Sequence, residues 1–373
     1  MRKLNILVIA DNYVPLLKDK VMGGAERVLM EQVDVLEKFG HDIIVICPKD
    51  SNLNSMWSID EFSKNYYLKD GVKPPRNLNQ LTIKAIDALT QMDTKPDLII
   101  NHHKQASVIK HLATLAGKFK IVSHIHNAPI FGMLSVATNN AYLELARAGG
   151  INLGVSGWCT RVNNQMTPHC VTDTLIMQIA RERFQVKEPT IQSIAISRFV
   201  DIKNLHWYAS LLKEEKVTGN LVGYVEDQND KYWNSTLKDL VQNQPFWKSD
   251  LNYQQTMDLL ASSLVYVQTC HLETSSCTQF EAAQRGVPSI VCTKRNGHGS
   301  FEGSFLPELA YLEVDTYRLG WDRISSELNK VIEGVPFNLE ARQSLADYIY
   351  DNFNEEKWME NFEAVLVKWF GVI

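Results

Sequence analysis

The chain is sparing with cysteine. Six occur in 373 residues, Cys47, Cys159, Cys170, Cys270, Cys277 and Cys292, with no C-x-x-C pair and no metal-ligand clustering. That spacing excludes a disulfide framework and a zinc module, and it implies free thiols in a cytoplasmic setting. No metal is expected: Asp227 and Asp230 read as a solvated acidic turn. Long hydrophobic runs are also missing. The opening apolar stretch, residues 4–10, contains Asn5 and stops at Asp11, which is too short for a signal core or a membrane span. It reads as a buried first strand, and no transmembrane segment is expected. G-x-G-x-x-G is absent, so a dinucleotide oxidoreductase loses its main support. Internal repeats and low-complexity tracts are absent as well.

What remains is ordinary globular composition, with 45% hydrophobic and 22% charged residues, in a chain long enough for two domains. Charge is uneven. Residues 1–170 carry 19 Lys+Arg against 15 Asp+Glu, a balance of +4, with seven of the ten histidines. Residues 171–373 carry 19 against 28, a balance of −9. Such asymmetry suggests that the halves meet different partners.

Short apolar runs alternate with helical patterns through both halves. The spacing predicts strands at 4–10, 42–47, 97–101, 120–124 and 151–155, then at 191–197, 220–225, 264–268, 288–292 and 309–314. A helix over 25–39 carries Val28, Leu29, Val33 and Leu36 on one face and stops at Gly40. Residues 51–95 read as an irregular insertion with a helix at 78–92, and an aromatic-rich amphipathic helix closes the chain at 358–370. Strand–helix alternation of this kind predicts an α/β protein of two doubly wound, Rossmann-like domains with parallel sheets. The expected boundaries are 1–175 and 186–355, with 356–373 returning to the first domain.

In such sheets, ligands bind at the carboxyl ends of strands, and three segments fall there. Gly23 and Gly24 precede the first helix, where small residues let a phosphate approach backbone N–H groups. Arg198 and Lys203 follow the strand at 191–197 and place two cations within reach of one anion. After the strand at 264–268, Glu273 stands in a loop and Glu281 on the following helix. Ser276, Cys277 and Thr278 supply small side chains and amides between them.

This E-x7-E element, followed by Ala-Ala-x-x-Gly-x-Pro, resembles the signature of the retaining GT-B glycosyltransferases called family 4. Gly-Gly-Ala-Glu-Arg-Val, Arg198-x4-Lys203, Ser123-His124-Ile125-His126 and Val155-Ser156 resemble the family's other markers in collinear order. The resemblance implies two domains facing a central cleft, with acceptor binding in the first and nucleotide-sugar binding in the second. It implies a hexosyl- or pentosyltransferase acting with retention, with a nucleotide diphosphate sugar, UDP-sugar first, as co-substrate and no other cofactor. Arg198 and Lys203 would then neutralise the departing diphosphate, Glu273 would hold sugar hydroxyls and Glu281 the ribose. His126 would touch the sugar, Gly23 and Gly24 would face phosphate, and Trp247 would lie beside the base. Departures from the pattern are Asn204, where the family has Gly after the second basic residue, and Thr274-Ser275-Ser276 between the glutamates.

The acceptor stays open among a glycan, a lipid-linked sugar and DNA, the last as in phage enzymes that glycosylate hydroxymethylated bases. A basic first half, with Lys104, Lys110, Lys118 and Lys120 near His102 and His103, suits an anionic acceptor. A nucleotide-sugar hydrolase or epimerase on the same fold, and a non-catalytic nucleotide-sugar binder, are the competing readings.

Overall fold

The computed structural model describes residues 2–11, 16, 24–48, 51–53, 56–59, 77–127, 135–225, 229–249, 251–270, 273, 275–293, 311–315 and 321–371. The chain divides into two compact units, Met1–Ile179 with Glu355–Ile373, and Ala180–Asn354.

Unit 1 is built on a parallel sheet. In chain order its elements are β1 (Asn5–Ile9), α1 (Gly24–Lys38), β2 (Asp42–Pro48), β3 (Met56–Ile59), α2 (Asn77–Thr90), β4 (Leu98–Asn101), α3 (Ala106–Leu115), β5 (Lys120–Ile125), α4 (Val136–Arg147), β6 (Ile151–Gly154), α5 (Gly157–Met166) and β7 (Asp173–Thr174). The strand order is β3-β2-β1-β4-β5-β6-β7, every neighbour parallel. β4 and β6 are buried at every position, as strands covered on both faces must be. α1 buries Val28, Leu29, Val33 and Leu36 and ends before Gly40, whose φ of +88° lies in the left-handed region. Side chains cap other helices: Ser135 accepts from the Thr138 amide and Ser156 from the Cys159 amide.

Unit 2 repeats the plan. It holds β8 (Ile191–Ile196), a 3-10 turn (Asp201–Lys203), α6 (His206–Lys213), β9 (Gly219–Val222), a π-turn (Trp233–Leu237) running into α7 (Lys238–Val241), β10 (Trp247–Lys248), α8 (Tyr253–Ala261), β11 (Ser263–Gln268), α9 (Cys277–Gln284), β12 (Ser289–Thr293), β13 (Tyr311–Asp315), α10 (Trp321–Gly334) and α11 (Leu339–Phe353). The order β10-β9-β8-β11-β12-β13 is again parallel throughout. Both sheets reverse their strand order once, between β1 and β4 and between β8 and β11. These are the switch points where open α/β sheets take ligands.

The last helix, α12 (Glu355–Phe370), belongs to unit 1. It buries Trp358, Met359, Phe362 and Leu366, Lys38 pairs with Glu355, and Lys368 and Trp369 both donate to Asp173. Three short strands differ from the expectation. β3 lies within the stretch read as irregular and pairs with β2, while β7 and β10 close sheet edges. Each is too brief to show a period-2 pattern and is a strand because a neighbour offers a ladder.

Gly286, the glycine of Ala-Ala-x-x-Gly-x-Pro, follows α9 with φ +66°, and a Cβ there would stand 2.3 Å from the Arg342 carbonyl oxygen. Its own carbonyl accepts from Arg342 Nε at 2.7 Å. Both conformation and space therefore require glycine. Gly286→Ala is expected to cost about 1–3 kcal/mol, lowering the urea midpoint of unit 2. An unchanged midpoint would contradict this account.

Candidate functional site

At the carboxyl edge of unit 1, β1 leads to Asp11, β4 to His102, His103 and Lys104, and β5 to His126. Of these, Asp11, His102, Lys104 and His126 line a pocket with α1 and with Tyr142 of α4. His102 and His124 are buried, and His126 lies at the rim. The imidazoles of His102 and His126 meet at 2.9 Å between Nδ1 and Nε2. Gln32 of α1 bridges His102 and His124: its Oε1 accepts from His102 Nε2 at 2.7 Å, and its Nε2 donates to His124 Nε2 at 3.2 Å. Lys104 pairs with Asp11 at 3.2 Å. His103 is buried inside a turn, its Nδ1 accepting from the Gln105 amide at 3.1 Å while Asn101 braces its backbone. That role is structural. Lys110 is paired with Glu144 at 3.2 Å, so two of the four lysines of the expected basic face already meet an acid.

Burial, with Lys104 nearby, lowers His126 to about 4 and His103 to about 3. His102 and His124 are pushed well down by burial and by their neighbouring rings. All four are neutral imidazoles at neutral pH.

The edge of unit 2 is ionic instead. Arg198 is exposed just past β8. The chain then turns through Asp201–Lys203 into Asn204, whose φ of +48° is the left-handed conformation that glycine or asparagine adopts most readily. Asn204 thus takes a conformation that a glycine at this position would also allow. Lys203 Nζ donates to Glu273 Oε2 at 2.7 Å, and Thr269, past β11, donates to the Lys203 carbonyl at 2.5 Å. Burial alone would lower Lys203, but the Glu273 carboxylate holds its ammonium above the usual lysine range. Lys203 is a permanent cation.

Glu281 is buried on α9 and accepts from Tyr253 Oη at 3.0 Å. Ser276 caps α9 by accepting from the Gln279 amide, and Cys277 and Thr278 form its first turn. Trp247 sits on the edge strand β10 with its indole N–H donated to the Gly223 carbonyl at 3.2 Å. Its ring packs with Phe199 and Trp233, centroids 5.9 and 5.7 Å away. Gly24 opens α1, and Gly23 lies outside the described residues. Within each unit the predicted residues gather at the carboxyl edge of the sheet, except Lys118 and Lys120: Lys118 precedes β5 and Lys120 begins it, at the amino end opposite His102 and His103. Gln32 is the site residue that the sequence motifs do not mark; its one signal is a polar residue on the apolar face of a helix.

A model of Glycosyltransferase Family 4 matches residues 22–156, from just before α1 to the turn after β6. No curated protein matches the sequence. Solved structures match over the whole chain. Sucrose-phosphate synthase from Thermosynechococcus elongatus aligns at TM-score 0.73 and 11% identity, covering 99% of both chains. The pneumococcal O-GlcNAc transferase GtfA, solved with UDP and GlcNAc, aligns at 0.70 and 10%, again covering 99% of each. The catalytic domain of starch synthase IV from Arabidopsis thaliana, bound to ADP and acarbose, aligns at 0.61 and 12%, covering 98% of this chain and 99% of that one.

The fold is GT-B.

The GT-B neighbours and the family match together support sugar transfer in general. Among the described residues no group of His, Cys, Asp or Glu could hold a metal ion, and no helix is long and apolar enough to cross a membrane.

The neutral histidines of this GT-B chain make stability sensitive to acid. Their folded pKa values lie below the unfolded value of 6.5, so the unfolded chain takes up protons that the native state refuses. That stability is complete above 6.5 and is lost as pH falls toward about 4. The thermal midpoint of unit 1 should therefore drop steadily across this window. A flat midpoint would show that the rings titrate in the folded chain.

Proposed function

We propose that the protein transfers a sugar, with retention of configuration, from a nucleoside diphosphate sugar to an acceptor hydroxyl. The observation that carries this is the Lys203–Glu273 pair at the switch point of unit 2, a cation beside a carboxylate at the carboxyl edge of a parallel sheet. Arg198 and Lys203 neutralise the departing diphosphate, and stabilising that developing charge contributes most to lowering the barrier. Glu273 accepts from hydroxyls of the transferred sugar, so donor binding divides the ion pair, Lys203 turning to phosphate and Glu273 to the sugar. Glu281, oriented by Tyr253, meets the ribose. The first turn of α9, with Cys277 and Thr278, offers amides to phosphate, as does Gly24 with Gly23. His126 touches the transferred sugar. The leaving phosphate oxygen takes the acceptor's proton, which needs no protonated histidine. The UDP of the GtfA complex supports UDP-sugar as the first donor to test. For the acceptor, the +4 balance of the first half supports an anionic molecule.

Removing a contact that strengthens in the transition state costs about 2–4 kcal/mol, roughly 30- to 1000-fold in rate. Arg198→Ala and Lys203→Ala should lower kcat by that range without loss of the fold, as donor turnover and circular dichroism would show. Wild-type turnover in both would remove the diphosphate clamp.

The anomeric configuration of the product should equal that of the donor in the proton NMR spectrum. Inversion would refute the retaining chemistry, and donor consumption without transfer would favour a hydrolase.

A further inference from the structure

Gln32 is fully buried on α1, in line with Leu29, Val33 and Leu36. An apolar residue would fill that place at no polar cost, whereas a buried amide must be hydrogen-bonded to be tolerated. Both ends of this amide are committed to imidazoles, at 2.7 Å to His102 and 3.2 Å to His124. Those two rings cluster with His126: the His102 centroid lies 4.6 Å from that of His124 and 5.1 Å from that of His126.

A neutral imidazole has one N–H and one lone pair, so each hydrogen bond in this chain dictates the next. Gln32 Oε1 can only accept, which puts the His102 proton on Nε2. His102 Nδ1 is then an acceptor, so the 2.9 Å contact needs the His126 proton on Nε2. At the other end the Gln32 amide donates to His124 Nε2, which puts the His124 proton on Nδ1. That nitrogen is buried with no hydrogen-bond partner among the described residues.

We propose that Gln32 is a positioning residue: through His102 its amide holds His126 with the proton on Nε2 and a lone pair on Nδ1. The tautomer matters for the role of His126 in the proposed function, on which this inference rests. A ring so held meets the sugar as an acceptor, taking a hydrogen bond from a sugar hydroxyl through Nδ1. Turning the amide around would invert all three tautomers together.

Nitrogen-15 NMR of the full chain labelled at histidine reads the tautomers directly, with no substrate added. Single His→Asn variants assign the rings. At neutral pH the wild type should show Nε2–H for His102 and His126 and Nδ1–H for His124. Gln32→Glu offers two acceptor oxygens and no donor, so His124 should convert to Nε2–H while His102 and His126 keep theirs. Gln32→Met removes the anchor: His126 should become a tautomer mixture, and kcat should fall on the order of 10-fold, as for a misoriented group, at unchanged donor KM. Gln32→Glu should recover most of that loss. An inverted or mixed pattern in the wild type overturns the proposal. So does a His126 that stays Nε2–H in folded Gln32→Met, or a kcat there equal to wild type. If Gln32→Met does not fold, the response of His124 in Gln32→Glu decides. Should the wild type transfer no sugar from any nucleotide sugar, the proposed function fails and the tautomer pattern still stands or falls on its own spectra.

Discussion

A parallel strand buried on both faces delivers its last residues to the carboxyl edge of the sheet with polar groups that little water can reach. Each such group must find a partner or give up its charge. The rest of this structure is arranged around that constraint, and the two units answer it differently. In unit 1 the edge carries imidazoles, and burial removes their charge. In unit 2 it carries a lysine that keeps its charge because a carboxylate lies 2.7 Å away.

The two solutions suit different work. A neutral ring whose proton is placed by its neighbours can accept or donate in a set direction, and it adds no field of its own. A half-buried ion pair stores a cation and an anion that separate usefully only when a ligand supplies both an anion and hydroxyls. A nucleoside diphosphate sugar has that composition. The backbone supports each arrangement: Asn204 in the left-handed region turns Lys203 toward β11, and Thr269 ties that turn to the neighbouring strand.

Much of the plan was legible in the residues. Alternating apolar runs announced parallel sheets because a strand covered on both faces is mostly apolar, and β4 and β6 are buried at every position, each with one asparagine, Asn101 and Asn152. Arg198, Lys203 and Glu273 stood out as charged residues that follow apolar runs, and Glu281 by its spacing of eight residues from Glu273. The short strands β3, β7 and β10 were not legible, since two to four residues carry no period. Nor does any local pattern show that the Trp247 ring packs with Phe199 and Trp233 from an edge strand.

The sequence by itself determined the class of fold, the order of the elements and the segments that reach the strand edges. These depend on local periodicity and on neighbours along the chain. Only the tertiary structure decided which side chains meet: Lys203 with Glu273, Tyr253 with Glu281, and Gln32 with His102 and His124 across 70 and 92 positions of sequence. Charge and tautomer follow from those meetings. They depend on burial and on hydrogen bonds between residues far apart in the chain, which no local pattern encodes.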